Sequence, residues 1–386
     1  MKNTLFALAI ALLFTINTTP AFANGTNDVS AKKTTLKEAF DGKFLIGTAA
    51  DIYYKPDHLQ LAATQFNVIT PENGLKMGSI SPNPDQYNFF LGDKLVEFAE
   101  KNKMQVIGHA LIWHSQLPKW FCTDENGKDL DRETLLKRME KYIHTTVGHF
   151  KGRIRGWDVV NEAIEDDGSW RKSKFYQIIG PEYIRYAFQY AHEADPNAEL
   201  YYNDYGMTSP RKRETVLKLI KTLKDAGLRI DAVGMQCHLH LEYPAVEAIE
   251  KSIIVYSETG VKVNITELDC SALPSPRYGG ADVQRTEEYQ AKLNPYTKGL
   301  PEEVSKKWNN RMKLVFDTLL KHSDKIDRVT VWGITDQTTW LNSFPIRGRT
   351  DYPLLFDRNM QPKPFLKAYL QKTEAKPEEK KDEQKQ

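Results

Sequence analysis

Cysteine is scarce in this chain, with only Cys122, Cys237 and Cys270 among 386 residues. Three thiols cannot build a disulfide framework. At most one bridge can form, and Cys237, set in an apolar run, reads as a plain core residue. The metal-ligand spacings CxxC and HExxH are absent and no His/Cys cluster replaces them, so no structural metal is expected. Neither GxGxxG nor GxxxxGK[ST] follows the first candidate strand, which removes the main signature of a nucleotide site. An excess of charge of one sign is also missing: 53 Lys and Arg stand against 51 Asp and Glu, a net charge of +2. With no basic stripe, nucleic acid is not an expected partner. No internal repeat and no linker rich in Pro, Gly or Ser divides the body, which points to one domain. No run reaches the roughly 18 apolar residues that would suggest a membrane span in the mature chain.

What is present begins with MKNTLFALAIALLFTINTTPAFANG. Lys2 gives a charged start, Leu5 to Ile16 an apolar centre, and Ala21-Phe22-Ala23 a small-residue cleavage site. Residues 1–23 therefore read as a secretory signal peptide, with a secreted or periplasmic product after cleavage near Ala23. Residues 24–36 read as an N-terminal extension, 37–372 as the folded body, and 373–386 as a disordered tail of charges and amides.

Within the body, short apolar runs alternate with amphipathic segments. Strands are expected at Phe44–Ala50, Phe66–Thr70, Gln105–Trp113, Ile154–Glu162, Glu199–Asp204, Ala232–Leu239, Val263–Asp269 and Val329–Asp336. Helical spacing is clearest in GDKLVEFAEKNK, ETLLKRMEKYIHTTVGHF, EYIRYAFQYAHEADP and KRETVLKLIKTLKDAG. In the last, Leu217, Ile220 and Leu223, with Leu228 beyond, recur on one face, and Gly227 supplies a stop. Strands alternating with helices imply a parallel sheet with both faces covered, which explains continuous apolar runs. The count of eight strands favours a closed ring over an open sheet. The expected fold is α/β, a single (β/α)8 TIM barrel.

Polar and aromatic residues interrupt seven consecutive runs at their C-terminal ends: TPENGLK, GHALIWHSQ, WDVVNEA, YYNDY, MQCHL, ITELD and WGITDQTTW. Barrel active sites lie at that end. A lone carboxylate there is usually a surface charge, a lone histidine such as His238 a core residue, and a lone indole packing. Asp231, which precedes its strand, reads as a cap or surface charge. The combination is different. Glu162 and Glu267 close two separate strands, and two such carboxylates are the minimum equipment for cleaving a glycosidic bond. One must hold a proton near neutral pH while the other stays charged. Aromatic residues make up 11% of the chain and supply platforms for sugar faces.

Taken together, WDVVNEA and ITELD in this order, with GHALIWHSQ upstream and WGITD downstream, resemble the glycoside hydrolase family 10 xylanases, over a span from Gly47–Asp51 to Pro353–Pro364. The resemblance implies a cofactor-free, retaining endo-1,4-β-xylanase with Glu162 as acid/base and Glu267 as nucleophile. It implies that His238 donates to the nucleophile and is oriented by Asp269. Asn161 would bind the 2-hydroxyl of the sugar next to the bond, and Lys76, His109, Trp113 and Gln236 would line that subsite. Glu72, Asn73 and Gln116 would grip the next xylose outward. Trp332 and Trp340 would roof the cleft, and Tyr205 would stack on the leaving-group side. A retaining enzyme holds its two carboxyl groups about 5–5.5 Å apart. Two positions depart from the family pattern: Met77 stands where Trp is usual, and Leu341 where Arg is common. Ser271 to Lys307 reads as an expanded loop that either walls the cleft or caps the barrel.

The expected partners are xylan and xylo-oligosaccharides, and a monomer is expected. Two alternatives use the same residues. One is a β-1,4-glucanase on the same scaffold, which would need room for a hydroxymethyl group on each sugar. The other is a noncatalytic sugar-binding protein, against which the presence of both carboxylates counts.

Overall fold

The computed structural model describes residues 34–274 and 291–371. The signal peptide, most of the extension, the tail and the centre of the long loop lie outside the described residues. Ten strands are present among the described residues: β1 (Leu45–Ala49), β2 (Val68–Thr70), β3 (Gln105–Gly108), β4 (Ile112–Trp113), β5 (Gly156–Asn161), β6 (Glu199–Asp204), β7 (Ala232–Met235), β8 (His238–His240), β9 (Lys262–Ser271) and β10 (Ile326–Val331). Eight of them pair in parallel in the order β1-β2-β3-β5-β6-β7-β9-β10, and the β10 to β1 pairing closes the ring. Two expected strands are therefore broken. The run Gln105–Trp113 splits into β3 and the short β4, which pairs on to β5, while Ala232–Leu239 splits into β7 and β8, which pairs on to β9. At the second break Cys237 adopts a left-handed φ of 59°. The last strand runs from Ile326 to Val331 and stops before Asp336, with Gly333 at φ 133° just beyond it.

Long helices follow the strands and cover the ring. The helix Pro210–Asp225 opens with Pro at its first position and buries Val216, Leu219, Ile220 and Leu223, while Gly227 turns the chain at φ 70°. Leu217, expected on the buried face, is only half-buried because Val216 and Leu219 occupy that face. The main core lies between strands and helices; a small second cluster of Val68, Ile107, Tyr201 and Ala232 fills the barrel interior. Packing starts earlier than expected from composition. Leu36 is fully buried and the Thr34 amide donates to the Leu370 carbonyl at 3.3 Å, so residues 34–36 join the body. In the long loop, the helix Glu302–Lys321 begins before Lys307, and Asn294 and Tyr296 hydrogen-bond to Gly348 and Tyr352. Cys122, Cys237 and Cys270 are free thiols.

Two register shifts lie close to Glu162 and Glu267. Between Asp158 and Val160, β5 spends one more residue than β6, and between Ile265 and Leu268, β9 spends one more than β10. An extra residue in one strand re-aims the side chains after it. Glycine also sets close approaches: a Cβ at Gly108 would sit 2.1 Å from the Trp157 ring, itself almost fully buried. Gly108→Ala is expected to destabilise the fold by about 1–3 kcal/mol, as overpacking of a dense core does. Chemical denaturation followed by tryptophan fluorescence measures it.

Candidate active site

The two glutamates stand on the strands that carry the register shifts. Glu162 follows β5 directly and adopts φ 57°, a conformation that non-glycine residues mostly reach only where their surroundings enforce it. Here its amide donates to the Asn203 carbonyl at 2.9 Å. Glu267 lies inside β9, next to the extra residue, so that Thr266 and Glu267 both contact Asn203.

Different donors meet the two carboxylates. Glu162 accepts from the Trp113 indole at 2.9 Å on Oε2 and from the Gln236 amide at 3.0 Å on Oε1. Both donors are neutral. Glu267 is buried, accepts from Asn203 Nδ2 at 2.8 Å on Oε1, and faces His238 Nε2 at 3.2 Å on Oε2. His238 Nδ1 is held 2.9 Å from Asp269, whose same oxygen accepts from the Trp340 indole at 2.9 Å. Burial alone would lower the His238 pKa, but the charge and hydrogen bond of Asp269, then those of Glu267, win and raise it to about 10. His238 is thus an imidazolium at neutral pH, and the nucleophile candidate has a cation on one oxygen and an amide on the other.

Two residues cross-link the pair. Asn203 offers its backbone carbonyl to Glu162 and its side chain to Glu267. Gln236 does the reverse, its side chain reaching Glu162 while its carbonyl accepts from the Glu267 amide at 3.0 Å. Asn203 is itself fixed by Thr266 Oγ1, which donates to Oδ1 at 2.6 Å, and the Asn161 side-chain amide lies against it at 2.9 Å.

Lys76, Asn73 and Glu72 lead away from this centre. Lys76 Nζ donates to Asn73 Oδ1 at 3.2 Å and lies 4.9 Å from the Trp113 ring centre. Burial lowers its pKa, against the opposing charges of Glu267, Glu72, Asp51 and Glu162. Burial raises the pKa of Glu72, which accepts a short hydrogen bond from the Tyr54 hydroxyl. The Asn73 and Gly74 amides donate to Asp51 at 3.0 and 2.9 Å, which clamps this loop. His109 Nδ1 sits 2.8 Å from Asp158, and its ring meets the edge of Trp332 at 5.1 Å. Trp340 adds a ring 5.2 Å from His238. On the opposite side Tyr205 follows β6. Gln116 stands apart from these contacts: it is exposed and adopts φ 48°. Met77 and Leu341, the two departures, are both buried and pack into the body.

Asn203, Thr266, Asp158 and Arg171 escape the sequence reading although all of them shape the site. Asn203 stands in YYNDY, where an asparagine as the fifth residue of a strand is a usable signal. Arg171 offers none, because a charged loop residue looks like surface. Asp231 accepts from the Leu200 amide at 2.7 Å, as a capping carboxylate does.

Two outcomes test this geometry. The His238 pKa lies above the ordinary 6.5, so its contact with Glu267 and Asp269 is fully present below that pH and fades as pH rises through about 10. Nitrogen NMR of the ring should show both nitrogens protonated at pH 8, and a midpoint near 7 would contradict the arrangement. A Cβ at Gly234 would lie 2.3 Å from Asn203 Oδ1 and 2.8 Å from the Thr266 methyl. Gly234→Ala should displace Asn203 and lower kcat by about a hundredfold, the cost of a small misplacement at a reacting centre.

The profile of Glycosyl hydrolase family 10 matches residues 35–372. The chain is 46% identical over 347 residues to Endo-1,4-beta-xylanase A of Xylanibacter ruminicola, covering 89% of this chain and 94% of that protein. A family 10 endoxylanase retrieved from a sugarcane soil metagenome is 47% identical and superposes with a TM-score of 0.82, over 87% of this chain and 99% of that one. A mutant chain solved in complex with xylotriose is 34% identical, with a TM-score of 0.78 over 87% of this chain and 99% of its own. With a closed parallel barrel, a pair of differently bonded carboxylates at one end, and this likeness along nearly all of its body, the chain belongs to glycosyl hydrolase family 10.

Proposed function

We propose that this chain is an endo-1,4-β-xylanase in which Glu162 is the acid/base and Glu267 the nucleophile of a retaining double displacement. The observation that carries the assignment of roles is the unequal bonding of the two carboxylates. Glu267 is buried, with a donor on each oxygen and His238 cationic beside it, as suits a group that must be an anion. Glu162 has only neutral donors and is half-buried.

In the first step Glu267 attacks the anomeric carbon, the glycosidic bond breaks, and Glu162 passes its proton to the departing sugar oxygen. The product is a glycosyl ester of Glu267. Glu162, now a carboxylate, takes a proton from water, whose oxygen attacks the same carbon and releases Glu267. Two inversions return the original β configuration. In this reading Asn161 bonds the 2-hydroxyl, and Lys76, His109, Gln236 and Trp113 line the same sugar. Glu72 and Asn73 hold the next one outward, and Gln116 is assigned to that sugar on the resemblance alone. Trp332 and Trp340 cover the site, and Tyr205 receives the leaving sugar. The xylotriose held by a related chain supports a xylo-oligosaccharide in this cleft. The apolar N-terminal stretch with its small-residue site supports export, and a monomer is the state we propose.

Glu267→Ala should abolish xylan cleavage; retention of activity within tenfold of wild type would defeat the nucleophile assignment. Glu162→Ala should lose about 10²–10⁴-fold on xylan, the ordinary contribution of a general acid. Proton NMR of the first-formed product should show the β-anomer. Rates on carboxymethylcellulose far below those on xylan separate this reading from a glucanase.

A further inference from the structure

The acid/base candidate and the leaving-group platform are joined by a closed circuit of polar contacts. Arg171 Nε donates to the Glu162 carbonyl at 2.8 Å, and its Nη2 donates to the Tyr205 hydroxyl at 2.6 Å. The Tyr205 carbonyl accepts from Lys212 Nζ at 2.8 Å, and the same ammonium lies 3.8 Å from the centre of the Tyr205 ring. Lys212 pairs with Asp204 at 2.8 Å, both side chains fully buried. Asp204 Oδ2 then accepts from the Ile164 amide at 3.3 Å, two residues beyond Glu162. A second strand of the circuit runs through Tyr202, whose hydroxyl accepts from the Ala163 amide at 3.2 Å and donates to Asp204.

Such a circuit is costly. A buried Lys–Asp pair forfeits hydration that its mutual attraction only partly returns, so it is weak as a stabiliser of the fold. Its position is informative. The strained turn at Glu162 and the ring of Tyr205 each receive two anchors, one from Arg171 and one through Lys212 and Asp204. Arg171 is mostly buried, and its third contact is Glu165 at 3.2 Å. A planar fork can serve a carbonyl, a phenol and a carboxylate at once, which an ammonium cannot do in this geometry.

We infer that Arg171 is a positioning residue that holds the acid/base and the leaving-group platform as one unit, so that the enzyme favours sugar leaving groups over activated ones. The inference rests on Glu162 as proton donor and Tyr205 as platform. A sugar leaving group needs both a proton and a stacking surface; a nitrophenolate needs almost no proton. The circuit therefore matters for the first and little for the second.

The test compares kcat and KM for xylotetraose and for 4-nitrophenyl β-xylobioside in Arg171→Met, Arg171→Lys and Tyr205→Phe. For Arg171→Met, the ratio of kcat/KM on xylotetraose to that on the aryl substrate should fall by about a hundredfold, mainly through kcat. Arg171→Lys should lie between Met and wild type. Tyr205→Phe keeps the ring and loses the acceptor, so it should move the ratio the same way and add little on top of Arg171→Met. An equal loss on both substrates would mean that Arg171 only braces the loop, and no change in the ratio would likewise overturn the proposal. If Arg171→Met fails to fold, the Lys and Phe variants still decide through the same ratio. Glu162→Ala run alongside separates the two levels. If it cleaves xylotetraose like wild type, the underlying role of Glu162 fails, and the proposal with it; if it is impaired and the ratio is unmoved, the proposal alone fails.

Discussion

One asparagine carries the geometry of this site. Asn203 hands its carbonyl to the Glu162 amide and its side-chain amide to Glu267, so the two carboxylates are referenced to the same residue. Thr266 fixes the Asn203 side chain from the far side, and Gly234 leaves the space in which it lies. Gln236 repeats the tie in the opposite sense. Because each of these two residues ties one glutamate by its backbone and the other by its side chain, the spacing of the pair is set by the barrel itself and not by loops. A retaining mechanism tolerates little error in that spacing, since one oxygen must reach carbon while the other reaches the leaving atom.

The site is also a problem in buried charge. Glu267, Glu72, Asp51 and Glu162 face Lys76 and His238 in a largely buried region. Ions there persist only when partners replace their hydration. Each has named partners: His238 lies between Glu267 and Asp269, Asp51 takes two backbone amides, and Glu72 takes the Tyr54 hydroxyl. Asp269 joins two functions, because the oxygen that orients His238 also accepts from Trp340. The Trp340 indole and the charge beside Glu267 are therefore set by one carboxylate.

Much of this was legible in the sequence. The alternation of β-branched runs with amphipathic segments pointed to eight strands, and polar residues at one end of seven runs pointed to the mouth of a barrel. Strand β6 has the expected ends, Glu199 and Asp204, because its run is bounded by polar residues on both sides. The breaks after Gly108 and Met235 fall at the polar residues His109 and Gln236, but apolar residues resume beyond each, so nothing local separates a break from a continuing strand. The run Val329–Asp336 kept its apolar character past Val331, yet its last residues leave the sheet. Met77 and Leu341, the two departures from the family pattern, are both buried.

By itself, the order of residues determined the fold class and the identity of the two carboxylates, because burial periodicity and residue chemistry are local properties of a chain. Tertiary structure alone decided what those carboxylates touch. The extra residues in β5 and β9, the left-handed turn at Glu162, and the circuit from Arg171 through Tyr205 to Lys212 and Asp204 all depend on how one strand is registered against the next. Register is a property of paired backbones, and a shift of a single residue re-aims every side chain beyond it.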